Sequence, residues 1–86
     1  MPQISRFFGI IVSMYFGDHN PPHFHAKYGK SEVLISLDDF SVLEGNIPQR
    51  ALSMVIEWAA LHKRELETNW QLVADYKLPE KIEPLT

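Results

Sequence analysis

The sequence predicts an α+β fold: an antiparallel sheet of three to four strands with one long C-terminal helix, straight or kinked, packed on one face. Three observations lead there. The first half alternates apolar and polar residues between turn signals, as strands do. The second half carries apolar residues at helical spacing. Between two of the expected strands, Gly29-Lys30 makes a turn whose register sorts the flanking side chains into two coherent faces. The 86 residues make one domain, 1–86, with no room for a second.

The first strand is expected from about Phe8 to Phe16. Ile10, Val12, Met14 and Phe16 share one face, and Ile11, Ser13 and Tyr15 share the other. Gly17 and Asp18 end it. Pro21 and Pro22 cannot donate backbone hydrogen bonds, so the chain there is a stiff loop. His23–Tyr28 and Glu32–Asp38 follow as the second and third strands. Glycine at the first central position of Gly29-Lys30 suits a two-residue type II′ hairpin. That turn pairs Tyr28 with Ser31, Lys27 with Glu32, Ala26 with Val33, His25 with Leu34, Phe24 with Ile35 and His23 with Ser36. One face then carries Phe24, Ala26, Tyr28, Val33, Ile35 and Leu37, an apolar set; the other carries His23, His25, Lys27, Glu32, Leu34 and Ser36. A slip by one residue would scramble both.

Ser41–Gly45 is expected as a short fourth strand after a turn at Asp38-Asp39-Phe40. A three-residue loop sets Leu43 beside Ile35 and Glu44 beside Leu34; a two-residue loop would bury an unpaired Glu44. Asn46-Ile47-Pro48-Gln49 resembles a helix start, with Asn46 as cap and Gln49 completing a capping box. Leu52, Val55, Ile56, Ala59, His62, Leu66, Trp70 and Val73 keep a 3.6-residue stripe until Pro79. A single helix from about 48 to 76 would be ~43 Å long, longer than a small sheet is wide. It therefore kinks or breaks near His62–Glu65, or its far end meets a partner. His62 lies on the stripe and reads as a core histidine hydrogen-bonded to a sheet or loop group. Trp58 and Trp70 read as core or interface anchors. The tail from Leu78 reads as irregular, with a short strand conceivable at Lys81-Ile82-Glu83.

Composition excludes several classes of function. Hydrophobic residues make up 45% and aromatic residues 12% of the chain, enough for a packed core and against disorder. A chain this short buries only roughly 60–65% of its unfolded surface, so its stability is marginal without a partner. Cysteine is absent, which excludes disulfides and thiolate zinc sites and suits a reducing cytoplasm. No stretch approaches the ~20 apolar residues of a membrane helix, so no membrane contact is expected. The N-terminus reads as mature sequence, not a signal peptide. A formal charge of −3 argues against binding that relies on nonspecific attraction to phosphates.

Candidate chemistry concentrates in Asp18-His19-Asn20-Pro21-Pro22-His23-Phe24-His25-Ala26. Three of the four histidines fall within seven residues, beside a carboxylate. Imidazole is the side chain that titrates nearest neutrality and the commonest metal ligand. By the hairpin register, His23 and His25 stand on the face the helix leaves open. Residues at i and i+2 of a strand are ~6.5–7 Å apart, so their side chains can converge on one ion or ligand. His19, on the proline-stiffened loop, can reach the same place, with Asp18 next to it and Glu44 two strands over. His19, His23 and His25 thus form a candidate metal site for a divalent transition metal such as zinc, nickel or iron. Without metal, the same histidines with Asp18 or Glu44 could act as general acid and base on RNA or another phosphoester. The plain alternative is a solvated polar face or a docking surface built on the Pro-Pro edge.

Taken together, Pro2-x-Ile4-x-Arg6, Tyr15-Phe16-x-Asp18-His19-x-Pro21-Pro22-His23-Phe24-His25, Leu43-Glu44-Gly45, Glu57-Trp58, His62 and Glu65-Leu66-x-x-Asn69-Trp70 resemble a small bacterial family of unknown function. Its hallmark is an Asp-His-x-Pro-Pro-His-x-His stretch, and the likeness covers nearly the whole chain. The resemblance implies a toxin–antitoxin component, since such proteins are often encoded beside another small domain. The chain departs from the family at Phe40, where glycine is usual in a turn that wants a left-handed residue. Three readings follow: a small toxin-type enzyme acting on RNA through His19, His23 and His25 with Asp18 or Glu44; a non-catalytic protein-binding module, paired with a small protein encoded nearby or with a second copy; and a metal sensor or carrier.

Overall fold

A computed structural model describes residues 2–86. The fold is α+β, with five strands and two helices among the described residues. The strands are β1 (Gln3–Phe7), β2 (Ile10–Ser13), β3 (His23–Tyr28), β4 (Ser31–Ser36) and β5 (Val42–Asn46), and the helices are α1 (Gln49–Leu61) and α2 (Lys63–Ala74). The sheet is an antiparallel meander in chain order, β1 to β5.

The expectation of three to four strands is corrected at the N-terminus. Phe8 and Gly9 both take positive φ, 48° and 79°, and fold β1 back on β2. Two positive φ values in a two-residue loop are the type I′ arrangement, which normally draws Asn-Gly. With Phe8 in that position the turn carries no sequence signature, and the long first strand expected from Phe8 shrinks to Ile10–Ser13. Ile10, Val12 and Met14 still face the core with no exposure, but Phe16 lies beyond the strand and is 41% exposed.

The central hairpin follows the sequence closely. All six β3–β4 pairs, from Tyr28↔Ser31 to His23↔Ser36, occur as expected. Gly29 has φ 61° and Lys30 stays out of the positive region, as a type II′ turn requires. Phe24, Ala26, Val33, Ile35 and Leu37 are buried, whereas Tyr28, at the hairpin tip, is half-exposed.

Phe40 takes φ 59° at the next turn, where its N–H donates to the Ser36 carbonyl at 3.0 Å. Its ring packs against the core and under the Lys63 ammonium, 5.7 Å from the ring centre. These contacts offset the cost of a left-handed phenylalanine. Glu44 pairs with Leu34 as expected, but Val42, not Leu43, pairs with Ile35. Leu43 is the extra residue of a β-bulge and is exposed. In the same turn the Ser41 amide donates to Asp39 Oδ1 at 3.0 Å. The Ser41 hydroxyl and then its amide hold the Asp39 carboxyl below its usual value. A lowered folded-state pKa means this contact is present above the unfolded carboxylate range and is lost as pH falls through the folded value. An NMR titration should therefore show the Ser41 amide moving with a midpoint below 3.8, and Asp39→Asn should abolish that transition.

The single long helix is also corrected. His62 leaves helical geometry (φ −125°, ψ 27°) and separates α1 from α2. The molecule measures 33 × 25 × 23 Å, so an unbroken helix of ~43 Å would overhang any face of it. Breaking at His62 lets both apolar stripes pack: Ala51, Val55, Trp58 and Ala59 from α1, and Leu66, Asn69, Trp70 and Val73 from α2. His62 is not hydrogen-bonded to the sheet or a loop. Its Nδ1 meets Glu65 Oε1 at 2.6 Å, and its ring lies 5.6 Å from Trp58. The expected capping box is absent: Asn46 ends β5, and Pro48 caps α1 without a side-chain bond.

The tail forms no strand but is stitched to the body. The Ile82 amide donates to the Ile4 carbonyl at 2.8 Å, and the Trp58 Nε1–H donates to Glu83 O at 2.8 Å. Asn69 donates to Glu80 O and accepts from the Glu80 amide, both at 2.8 Å. The Ile82–Ile4 bond brings the tail alongside β1, whereas β5, the opposite edge, is exposed along its whole length. Trp58 is fully buried against Phe7 and Phe24 beneath α1. No described helix is long and apolar enough to cross a membrane.

Candidate metal centre

Strand alternation sets His23 and His25 on the sheet face opposite the Trp58 core, with ring centres 5.2 Å apart. The two histidines differ in environment. His25 stays partly exposed, but His23 is only 3% exposed, because the Trp70 indole of α2 lies 5.3 Å from its ring. The expected open face is therefore closed over His23 by the end of α2. The Gly17 amide bonds Val73 O at 3.0 Å, pinning the preceding loop to the same helix.

That pinning carries Asp18 into the site. Its Oδ2 lies 2.9 Å from His23 Nε2 and 3.1 Å from His25 Nε2. Its Oδ1 accepts the His19 amide at 3.0 Å. Burial pushes the Asp18 carboxyl up, but the His25 hydrogen bond, the His23 charge and the His19 amide together outweigh it and hold the group below its usual value. Asp18 is thus a carboxylate across the neutral range.

The far nitrogen of each ring fixes how the near one is used. His23 Nδ1 is 2.7 Å from the Pro21 carbonyl, which can only accept, so Nδ1 carries the hydrogen. His25 Nδ1 is 3.0 Å from Glu32 Oε2, an acceptor for the same reason. In each neutral ring the lone pair then sits on Nε2 and faces Asp18 Oδ2. With that tautomer in both rings, three lone pairs converge on one point, an arrangement that one metal ion between them would relieve. Backbone carbonyl and carboxylate partners on the outer nitrogens are the support that metal-bound histidines have. The donor atoms of Asp18, His23 and His25 all lie within 4.8 Å of one another, close enough to share an ion. Two imidazoles and one carboxylate suit zinc or iron, and they leave coordination positions open.

The other expected site residues fall outside this set. The His19 side chain is 89% exposed and reaches only Asp18 Oδ1, at 3.4 Å, on the outer side. Glu44 is exposed opposite Leu34, two strands beyond His25, with no hydrogen bond to the histidines. Asp18, read from the sequence as an orienting or catalytic group, takes the donor position expected of His19.

Two further residues join the site. Glu32 orients His25, and Tyr15 seats its ring edge-on against the His25 ring at 4.2 Å. Burial, then the Glu32 and Asp18 charges, raise the Tyr15 pKa, so it remains a phenol. The hairpin register already places Glu32 on the histidine face; Tyr15 joins it because it follows β2, whose Ser13 pairs with His25. Glu32→Gln should weaken metal affinity roughly 10–100-fold, as loss of an outer-shell partner does, with little change in fold. Competition against a chromogenic chelator measures it, and unchanged affinity would remove Glu32 from the site. A groove of about 370 Å³ lined by Pro22, Leu37, Glu67 and Trp70 adjoins the site through Trp70 but contains none of the donors.

No curated protein and no solved structure matches the chain. The family model described as Domain of unknown function (DUF4160) matches residues 9–71, which include Asp18, His23 and His25, and the chain belongs to that family.

Proposed function

We propose that the domain binds one divalent transition metal ion through Asp18 Oδ2, His23 Nε2 and His25 Nε2, and uses it to hydrolyse phosphoesters, RNA foremost, as the toxin half of a two-protein system. One observation carries the reading: both histidines commit their outer nitrogens to acceptors and turn both inner nitrogens onto one carboxylate oxygen. An ion held there would polarise a phosphoryl oxygen and lower the pKa of a bound water. The chain's own part is to fix the ligands: Pro21 and Glu32 hold the rings, Trp70 shields His23 and α2 anchors the Asp18 loop. The toxin role rests on the family resemblance of the Asp18–His25 stretch. The test is growth of cells expressing wild type against a His23→Ala/His25→Ala variant, with cleavage of a labelled oligoribonucleotide by pure protein with and without chelator. Metal-dependent cleavage lost in the variant is expected; equal growth with no cleavage would contradict the reading.

A second reading, a protein-binding module, is favoured by one feature. Edge strand β5 is uncovered, with Val42 and Leu43 exposed at 44% and 43%. Bare edges accept a further strand from a partner. Co-expression with the neighbouring gene product should then yield a stable complex, and a monomer that retains no partner would remove this reading.

A further inference from the structure

The sheet face that carries the histidines is electrostatically divided. Strand pairing sets Arg6, Ile11 and Lys27 abreast across β1, β2 and β3. The neighbouring row on the same face runs through Ser13, His25, Leu34 and Glu44. Lys27 thus stands two residues along β3 from His25, on the same face and ~6.5–7 Å away. Lys27 and Arg6 are both exposed, and neither forms a salt bridge among the described residues. The carboxylate opposite Lys27, Glu32, turns instead to His25 Nδ1 at 3.0 Å. The β1–β3 half of the face therefore presents free cations beside the centre, while Glu32 and Glu44 make the β4–β5 half acidic.

Resting on the metal reading above, we infer that Lys27 and Arg6 form a second phosphate subsite, so that the face holds two consecutive phosphates of a single-stranded phosphodiester chain. One phosphate sits at the Asp18–His23–His25 end beside Tyr15, and the next sits against Lys27 with Arg6 behind it. The spacing along β3 is of the order of one nucleotide step of an extended backbone. A partly buried phenol beside the first position supplies an O–H donor. The acidic half confines the chain to the β1–β3 side. The net charge of −3 makes the contact local, so binding is modest in strength and sensitive to salt.

The test uses the full chain loaded with metal, its content read independently by elemental analysis. Fluorescence anisotropy of a short labelled oligoribonucleotide is compared for wild type, Lys27→Gln, Arg6→Gln and the double variant. Each single change should weaken binding about fivefold at low salt and flatten its salt dependence. Inorganic phosphate, which fills only the first position, should bind wild type and double variant alike. An oligodeoxyribonucleotide should show the same dependence on both side chains, since the subsite reads phosphate. Unchanged oligonucleotide affinity in the double variant, with metal bound in full, would overturn the subsite and leave the metal reading intact. Equal competition by a polyglutamate peptide would also overturn it, in favour of an acidic protein ligand. Failure to load metal would overturn the parent reading, and the subsite as a neighbour of a metal-held phosphate falls with it.

Discussion

Asp18→Asn is expected to abolish stoichiometric metal binding while leaving the sheet and helices in place. The substitution is nearly isosteric, so the loop geometry and the contact with the His19 amide are kept. It replaces the anionic oxygen that lies 2.9 Å and 3.1 Å from the two Nε2 atoms with an amide, a poor metal donor. Loss of an outer-shell partner costs roughly 10–100-fold in metal affinity, and loss of a direct donor should exceed that. A histidine variant is less clean. His23 is packed under Trp70, and truncation to alanine would open a cavity as well as remove a ligand. His19→Ala is the matching control: its ring is exposed on the outer side of Asp18, and its removal should leave metal affinity unchanged. Isothermal titration of the metal-free proteins separates the cases. Stoichiometric binding in Asp18→Asn would remove the carboxylate from the centre.

Trp58→Ala should be the most damaging single change to the fold. Trp58 has no exposed surface and is the largest fully buried side chain, touching Phe7, Phe24 and His62 around its ring. Its Nε1–H also holds the tail through Glu83 O. Truncating a buried tryptophan costs ~3–5 kcal/mol, and losing its hydrogen bond to Glu83 O adds about 1 kcal/mol. Small domains have only ~5–15 kcal/mol in total, and one this short sits toward the low end. Trp58→Ala is therefore expected to be largely unfolded at 37 °C. Trp58→Phe keeps most of the ring volume but loses the hydrogen bond, so it should fold with reduced stability and a frayed tail. Urea denaturation followed by circular dichroism distinguishes the two; a Trp58→Ala midpoint close to wild type would show that the tail and α1 do not depend on this ring.

The central hairpin was readable in the sequence because three independent constraints coincide there. Gly29 selects the turn, the alternation of Phe24, Ala26, Val33 and Ile35 selects the face, and a one-residue slip would violate both. β1 was not readable. Its turn uses Phe8 at positive φ, against the preference of its side chain, and its pairing with β2 is bulged between Gln3 and Ser5. The position of Glu44 was found and that of Leu43 missed, since a bulge shifts one residue and not its neighbour. The stripe predicts the helix but leaves its break at His62 as one of two outcomes, because it runs unbroken through the break and only the size of the body decides.

The site was half legible. Strand alternation alone brings His23 and His25 together. The choice between Asp18 and His19 as third donor turns on long-range contacts, the Gly17–Val73 bond and the packing of α2, that local sequence does not encode. The burial of His23 has the same origin, since it needs Trp70, 47 positions further along the chain, to arrive over the ring. The contacts by which Pro21 and Glu32 hold the rings become visible only once ring orientations are known.

The central claim is that Asp18, His23 and His25 together hold one metal ion. The most direct measurement is the metal content and metal-dependent stability of untagged protein. The account predicts one equivalent of zinc, nickel or iron per chain and a rise in unfolding temperature when metal is added to the stripped protein. It also predicts loss of both effects in Asp18→Asn and their retention in His19→Ala. A ligand at one hundred times its dissociation constant stabilises the folded state by ~2.7 kcal/mol, so the shift should be plain. Sub-stoichiometric metal, with no thermal shift on adding any of the three ions, would contradict the account.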